Sequence, residues 1–570
     1  MGRTMLVLAA VSVAALTGTS AAASGSGFEQ GRFDRPAVEF ADAELRGGLP
    51  TDVGLAPEPI AAAAERIARW TGSVPGREHP MYAGAVSLLA HDGVVVHRRA
   101  VGHALRYADG AGTELPPGQQ VPMTPETRFD IASITKLFTS IAVLQQVEAG
   151  AVRLDDPVAA HLPAFAAGGK GDITVRHLLT HTSGLPATVQ LWELPPERRI
   201  PAVLELAPER PPGGYTYSDP NMIVLGLLVE RTSGTPLDRY VAERITGPLG
   251  MTATGYNPDP SLPIAATEFQ SDPPRGMVRG EVHDENAWSL GGVAGHAGLF
   301  STADDLAVLG QAILNGGEYG GQRILSERAV RSMLDPGAAH GLGFELDQRW
   351  YMAGLSAPGT AGHTGYTGTS LVLDPASRSI AVLLTNRVHP SREWGSNNPA
   401  RQELAQALAR ALAVPPSKGS ASWFADPARA ATLTTDPLGP VAGPLRVSFD
   451  AFVDSQRDGD GTDPLVLEHS ANGGPWRAAA LRADGPGAPG GESTSLAGAG
   501  HRAWWRVHAT VPARPGDQIR LRWRYAPDGR YVGRGVHVDR VLAQDRDATR
   551  LDGEREHAAL HPDGWTSVPR

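Results

Sequence analysis

The chain has 570 residues, 41% of them hydrophobic and 20% charged, with 67 glycines and 47 prolines. That balance describes a globular protein of more than one domain, rich in turns. A formal net charge of -10 argues against a nucleic-acid binder, because phosphate recognition calls for a basic face. Cysteine is absent, which excludes disulfides, a cysteine-linked lipid anchor and thiolate metal sites.

Residues 1–23 read as a secretory leader. Arg3 supplies the positive charge, Met5 to Leu16 the apolar core, and Ala21-Ala22-Ala23 a small-residue cleavage site. No other run reaches the roughly 18 apolar residues of a membrane span. An exported protein without a stable membrane anchor is expected. Residues 24–55 read as a loose segment. A helix follows from Ile60 to Trp70. Tyr82 to Ala90 and Gly93 to Arg99 read as strands, with His91-Asp92-Gly93 as the hairpin turn.

The next helix carries Ser133 and runs to Gly150, with Ile134, Leu137, Phe138, Ile141 and Leu144 as its apolar stripe. Met222 to Glu230 is a second apolar helix, with Pro220 at its first position and Asp219 as its expected cap, a residue that reads equally as a catalytic or substrate-binding group. Gly362 to Asp374 and Ile380 to Asn386 read as a further hairpin, and Arg401 to Leu412 as a closing helix. The expected fold is therefore α+β: an antiparallel sheet flanked by helices over residues 56–412. Residues 413–440, rich in Ala, Pro, Ser and Thr, read as a linker. Over residues 441–570 short β-like segments alternate with turns, which fits a β-sandwich.

The chemistry centres on Ser133-Ile-Thr-Lys136. Residues three apart share a helix face, so the two side chains can touch. A serine hydroxyl needs a neighbouring base to become a nucleophile, and a lysine in a dry cleft can serve as one. Lysine stands only at 136, 170 and 418, so 48 of the 51 basic residues are arginine. Tyr217 is the second candidate. Beside an ammonium it could be held as phenolate and carry the proton of Ser133 to the leaving group. Tyr215 competes for that role. The third segment is His363-Thr364-Gly365-Tyr366, a strand start that can offer a backbone N–H to an oxyanion, opposite the N–H of Ser133.

These segments resemble the serine β-lactamase-related superfamily: class C β-lactamases, low-molecular-weight penicillin-binding proteins and family VIII esterases. The resemblance spans about residues 35–412. It rests on Phe129 to Lys136, Leu154-Asp-Asp-Pro-Val158, Ile173 to Pro186, Tyr217-Ser-Asp219, Gly295 to Ser301 and His363-Thr-Gly365. It implies a β-lactamase/transpeptidase-like fold and a serine hydrolase that needs no cofactor. Ser133 would be acylated, Lys136 and Tyr217 would share the proton transfer, and Ser133 and Tyr366 would form the oxyanion hole. Two positions depart from the family pattern. His363 stands where the third motif often has lysine, and Asp219 where the second often has asparagine. An amide can donate a hydrogen bond to substrate, whereas an ionised carboxylate only accepts.

The residues 281–286 and His296 match no common zinc spacing, and we read them as lining or bracing the cleft rather than holding a metal. The C-terminal part resembles, more weakly, the jelly-roll modules appended to secreted peptidases. The expected function is a secreted hydrolase of esterase or amidase type. A D-Ala-D-Ala carboxypeptidase or β-lactamase is the alternative, and an inactive wall- or glycan-binding protein a third reading. The partner would be a small or peptide-like acyl substrate, with the C-terminal module available to contact cell-wall material.

Overall fold

A computed structural model describes residues 40–569, apart from 74, 336–339, 428, 456, 459–460, 499–501 and 528–532. The leader read in residues 1–23 lies outside the described residues. No described helix is long and apolar enough to cross a membrane.

The first sheet has eight strands: β1 (Arg46–Gly47), β2 (Gly84–His91), β3 (Val94–Leu105), β4 (Val121–Pro122), β5 (Glu345–Leu346), β6 (Ala361–Gly365), β7 (Thr369–Asp374) and β8 (Ser379–Thr385). Seven run in the order β1-β3-β2-β8-β7-β6-β5, and β4 pairs with β3. Pairing is antiparallel except at the edge, where β1 lies parallel to β3. The sheet is thus mixed, and of the segment 24–55, expected to be loose, Arg46–Gly47 forms its edge strand.

Strand β2 turns into β3 through Asp92 and Gly93, both at positive φ (44° and 76°). That geometry matches the natural twist of a hairpin. Strands β2, β7 and β8 are buried along their whole length. Their side chains alternate between two cores, as strand geometry requires. Val86, Leu88, Ile380 and Val382 enter one core, and Ala85, Leu89, Ala381 and Leu383 the other. Helices α1 (Pro57–Arg69) and α5 (Asn398–Ala411) cover the second. Helices α2 (Thr135–Glu148), α3 (Asp219–Ser233) and α4 (Ala303–Leu314) build the first.

The segment expected as one strand from Gly362 to Asp374 is two, β6 and β7, because Gly368 turns the chain at φ 115°. The cap of α3 is Ser218 rather than Asp219. Ser218 is extended and donates its N–H to His181 Nδ1. Asp219 falls inside the first turn, and its carboxylate turns elsewhere, as described below.

Beyond α5 the chain forms antiparallel sheets, the two largest sharing a core in the manner of a sandwich. Strands Leu445–Asp454, Trp504–Val511 and Gly535–Gln544 belong to one, and Leu465–Ala471 and Ile519–Tyr525 to the other. Phe449 meets Trp523 edge-on at 5.6 Å between them. The stretch expected as a linker is part of this body. Ala421–Ala425 joins the first sheet and Ala431–Thr435 the second. Alternate burial explains it: Ala425, Ala431 and Leu433 reach the core, which a solvated linker would not allow. The body docks on the first domain through Arg502, whose two nitrogens each lie 2.7 Å from an oxygen of Asp374 at the end of β7.

Candidate active site

Ser133 sits in a single 3-10 turn, Ala132–Ile134, immediately before α2. The strand Phe129–Asp130 before it pairs with Leu299–Ser301, which brings the nearby Gly295-His296 segment alongside. Gly295 lets that segment pack on α3, since a Cβ there would lie 2.0 Å from the carbonyl oxygen of Met222. The opposite wall is β6. Gly365 passes so close that a Cβ would lie 2.1 Å from Thr369 Oγ1 and 2.4 Å from the carbonyl oxygen of Ile131. Thr367 Oγ1 donates to the Asp130 carbonyl at 2.7 Å and Thr369 Oγ1 to the Ile131 carbonyl at 3.2 Å.

Lys136 is fully buried, and its ammonium gathers the chemistry. Nζ lies 2.8 Å from Ser133 Oγ, 3.1 Å from the His296 carbonyl oxygen and 2.8 Å from Asp219 Oδ1. The Tyr217 hydroxyl interacts with both Lys136 and Ser133, and Nζ stands 4.9 Å from its ring centre. Burial works against the charge on Lys136, but Asp219 and then Tyr217 outweigh it, so the pKa of the ammonium is raised. Burial also pushes the Tyr217 phenol up, and Lys136 offsets only part of the shift. The resting pair is ammonium and phenol. This differs from the expectation of a neutral lysine or a tyrosinate, because Asp219 spends the lysine's field.

Ser133, Tyr217, His363, Thr364, Gly365 and Tyr366 line one cleft of about 320 Å³. Tyr215 lines it too, but no contact places Tyr215 on Ser133. Tyr366 is half exposed, with the guanidinium groups of Arg387 and Arg392 4.5 and 5.8 Å from its ring centre. His363 Nδ1 bonds the Thr364 carbonyl, and burial, then Lys136, pushes its pKa down to about 3. His340 is held at about 4 and His181 well below its usual range, both chiefly by burial. The histidine side of the site is therefore uncharged at neutral pH.

Sequence reasoning did not find Glu345, Arg387 and Arg401, which line the same cleft. They come from β5, the end of β8 and α5, and no local motif marks them. Residues 281–296 brace the site. His296 Nε2 lies 2.8 Å from Asp284 Oδ1, and His283 Nε2 2.8 Å from Glu268 Oε2. Burial opposes the charge on Glu268, but His283 and Arg392 outweigh it and hold that carboxyl at about 2. Among the described residues no three His, Asp or Glu side chains are grouped as a metal ion requires.

Three kinds of comparison accompany this geometry. A protein of Escherichia coli (strain K12) named "Putative D-alanyl-D-alanine carboxypeptidase" is 34% identical over 365 residues, 57% of this chain and 83% of that one. A similarly named protein of Salmonella typhimurium is 32% identical over 382 residues, covering 60% and 87%. Among solved structures, EstCE1, a hydrolase with promiscuous acyltransferase activity, superposes with a TM-score of 0.49 at 22% identity, over 62% of this chain and 99% of that one. The family model described as Beta-lactamase matches residues 75–406. The chain belongs to the beta-lactamase family and is a serine hydrolase of the β-lactamase/penicillin-binding-protein type.

Proposed function

We propose that the chain hydrolyses esters or amides through an acyl-enzyme on Ser133. The observation that carries this reading is the 2.8 Å contact of Lys136 Nζ with Ser133 Oγ at the edge of the cleft. Ser133 Oγ attacks the substrate carbonyl, and the Lys136/Tyr217 pair moves its proton toward the leaving group. The backbone N–H groups of Ser133 and Tyr366 stabilise the oxyanion. Water then releases the acyl group. Export, supported by residues 1–23, is part of the proposal, and is checked by the N-terminal sequence of protein recovered from the medium.

A second reading, a carboxypeptidase for D-alanyl-D-alanine-like ends, is favoured by Arg387 and Arg401. Both line the cleft, and a carboxylate-ended substrate needs a cation there. Burial lowers the pKa of Arg401 only to about 10, so it stays charged. Neutral His363 cannot supply that charge.

The test is intact mass after incubation with a penicillin, a fluorophosphonate and a short-chain p-nitrophenyl ester, beside Ser133→Ala. Adducts lost in the variant are expected. A penicillin adduct supports the carboxypeptidase reading; ester turnover without one supports the esterase reading. Unchanged turnover in Ser133→Ala would sink the mechanism, and no adduct from any probe would favour a wall-binding protein.

A further inference from the structure

We propose that Asp219 is the final acceptor of the Ser133 proton, which reaches it through Lys136. The inference rests on the acyl-enzyme reading above and concerns how that enzyme is made basic.

An ammonium can only donate, and a phenol must give up its own proton before it accepts another. Lys136 and Tyr217 both carry their protons in the resting site. Neither is a ready base. Four groups surround Lys136 Nζ: Ser133 Oγ, the Tyr217 hydroxyl, the His296 carbonyl and Asp219 Oδ1. Of these only the carboxylate is an anion with lone pairs that can accept a full proton. The other acids and bases facing the pair do not compete. Asp284 is bound to His296 and to the Ala287 N–H. Glu345 acts on Lys136 through space, from beside Tyr351. His181, His340 and His363 are neutral, and Tyr215, like Tyr217, is pushed up by burial.

The step balances without any further reagent. As the Oγ–C bond forms, the Oγ–H bond breaks and its proton passes to Lys136, directly or across Tyr217. Lys136 hands one of its own protons to Asp219. Lys136 remains a cation beside the new oxyanion, and Asp219 becomes neutral. On collapse the proton returns along the same path to the leaving group. An asparagine at 219 could hold Lys136 in place but could not take the proton, so the carboxylate has a role that position and size alone do not explain. Asp219 acts through Lys136 and is a positioning residue in that sense.

The experiment compares wild type, Asp219→Asn, Asp219→Glu and Ser133→Ala. It measures acylation by a p-nitrophenyl ester across a wide pH range, together with thermal stability. Asp219→Asn should lose about 100-fold or more in acylation rate. Its acidic limb should move to higher pH, because Lys136 or Tyr217 must first lose a proton. Asp219→Glu should return the limb towards the wild-type position. A purely structural ion pair would lower the melting temperature of Asp219→Asn and leave the limb where it was, and that result would overturn the proposal. If Ser133→Ala is dead while the limb is unmoved, only the Asp219 role falls. If Ser133→Ala still turns over, the acyl-enzyme reading falls and takes this proposal with it.

Discussion

Ser133 is positioned by the residues before it as well as by Lys136. Ala132 has φ 46°, a conformation that costs an alanine roughly 1–2 kcal/mol. Asp130 holds it there. One carboxylate oxygen accepts the Ala132 N–H at 2.8 Å and the other accepts the His283 N–H at 2.6 Å. Asp130→Asn keeps the shape but has a single acceptor oxygen, so one N–H loses its partner. The expected cost is about 1–3 kcal/mol in denaturant unfolding, with slower acylation and an unmoved acidic limb. A shifted limb would instead give Asp130 a role in the proton path. At this scale the sequence pointed to Ser133, Lys136 and Tyr217, which the structure brings into contact. It did not reveal which of them carries charge. That depends on Asp219 being 2.8 Å from Lys136, and helix spacing alone does not report a contact made from another helix.

The cleft is made by a strand pressed against a turn. β6 approaches the segment 130–133 closely only because residue 365 has no side chain. Gly365→Ala would set its Cβ against the Ile131 backbone, which cannot rotate away. We expect acylation of Ser133 to be lost or strongly reduced while the far-ultraviolet spectrum stays native-like; wild-type acylation would show that the wall can yield. The pattern His363-Thr-Gly365 was legible, but its break into β6 and β7 was not. The turn lies in the short stretch Gly365-Tyr-Thr-Gly368, which reads as continuous with the strand on either side. The same limit applied to 413–440. Ala, Pro, Ser and Thr suggest a linker, yet Leu433 and Trp423 bury themselves in the sandwich. Short strands with few large apolar residues are decided by what they pack on.

For the whole molecule, buried histidines set the response to acid. His97, His340 and His389 are each pushed down to about 4, and His363 and His537 to about 3, with burial the first cause in every case. In the unfolded chain each would titrate near about 6.5. Between those values the unfolded state binds more protons than the native one. Stability therefore rises with pH across that window and is lost as pH falls through it, by up to about 1.4 kcal/mol per pH unit for each histidine. We expect the melting temperature to be level above about pH 7 and to fall steeply from about pH 6.5 towards 4. A level profile through that range would contradict the buried, neutral state of these rings. His537 belongs to the sandwich and the other four to the first domain, so calorimetry should show both bodies affected.

By itself the sequence determined the chemistry on offer: a serine and lysine on one helix turn, a tyrosine in a second motif, a glycine-containing strand, and patterns of 3.6 and 2 that call for helices around a sheet. These are local properties, carried by residues within a few positions of one another. Tertiary structure decided what distance in the chain conceals. It placed Asp219 on Lys136, Arg387 and Arg401 in the cleft beside Ser133, and Arg502 of the sandwich on Asp374 of the sheet. Charge state and docking depend on burial and on neighbours brought from far along the chain, and those exist only once the cores have closed.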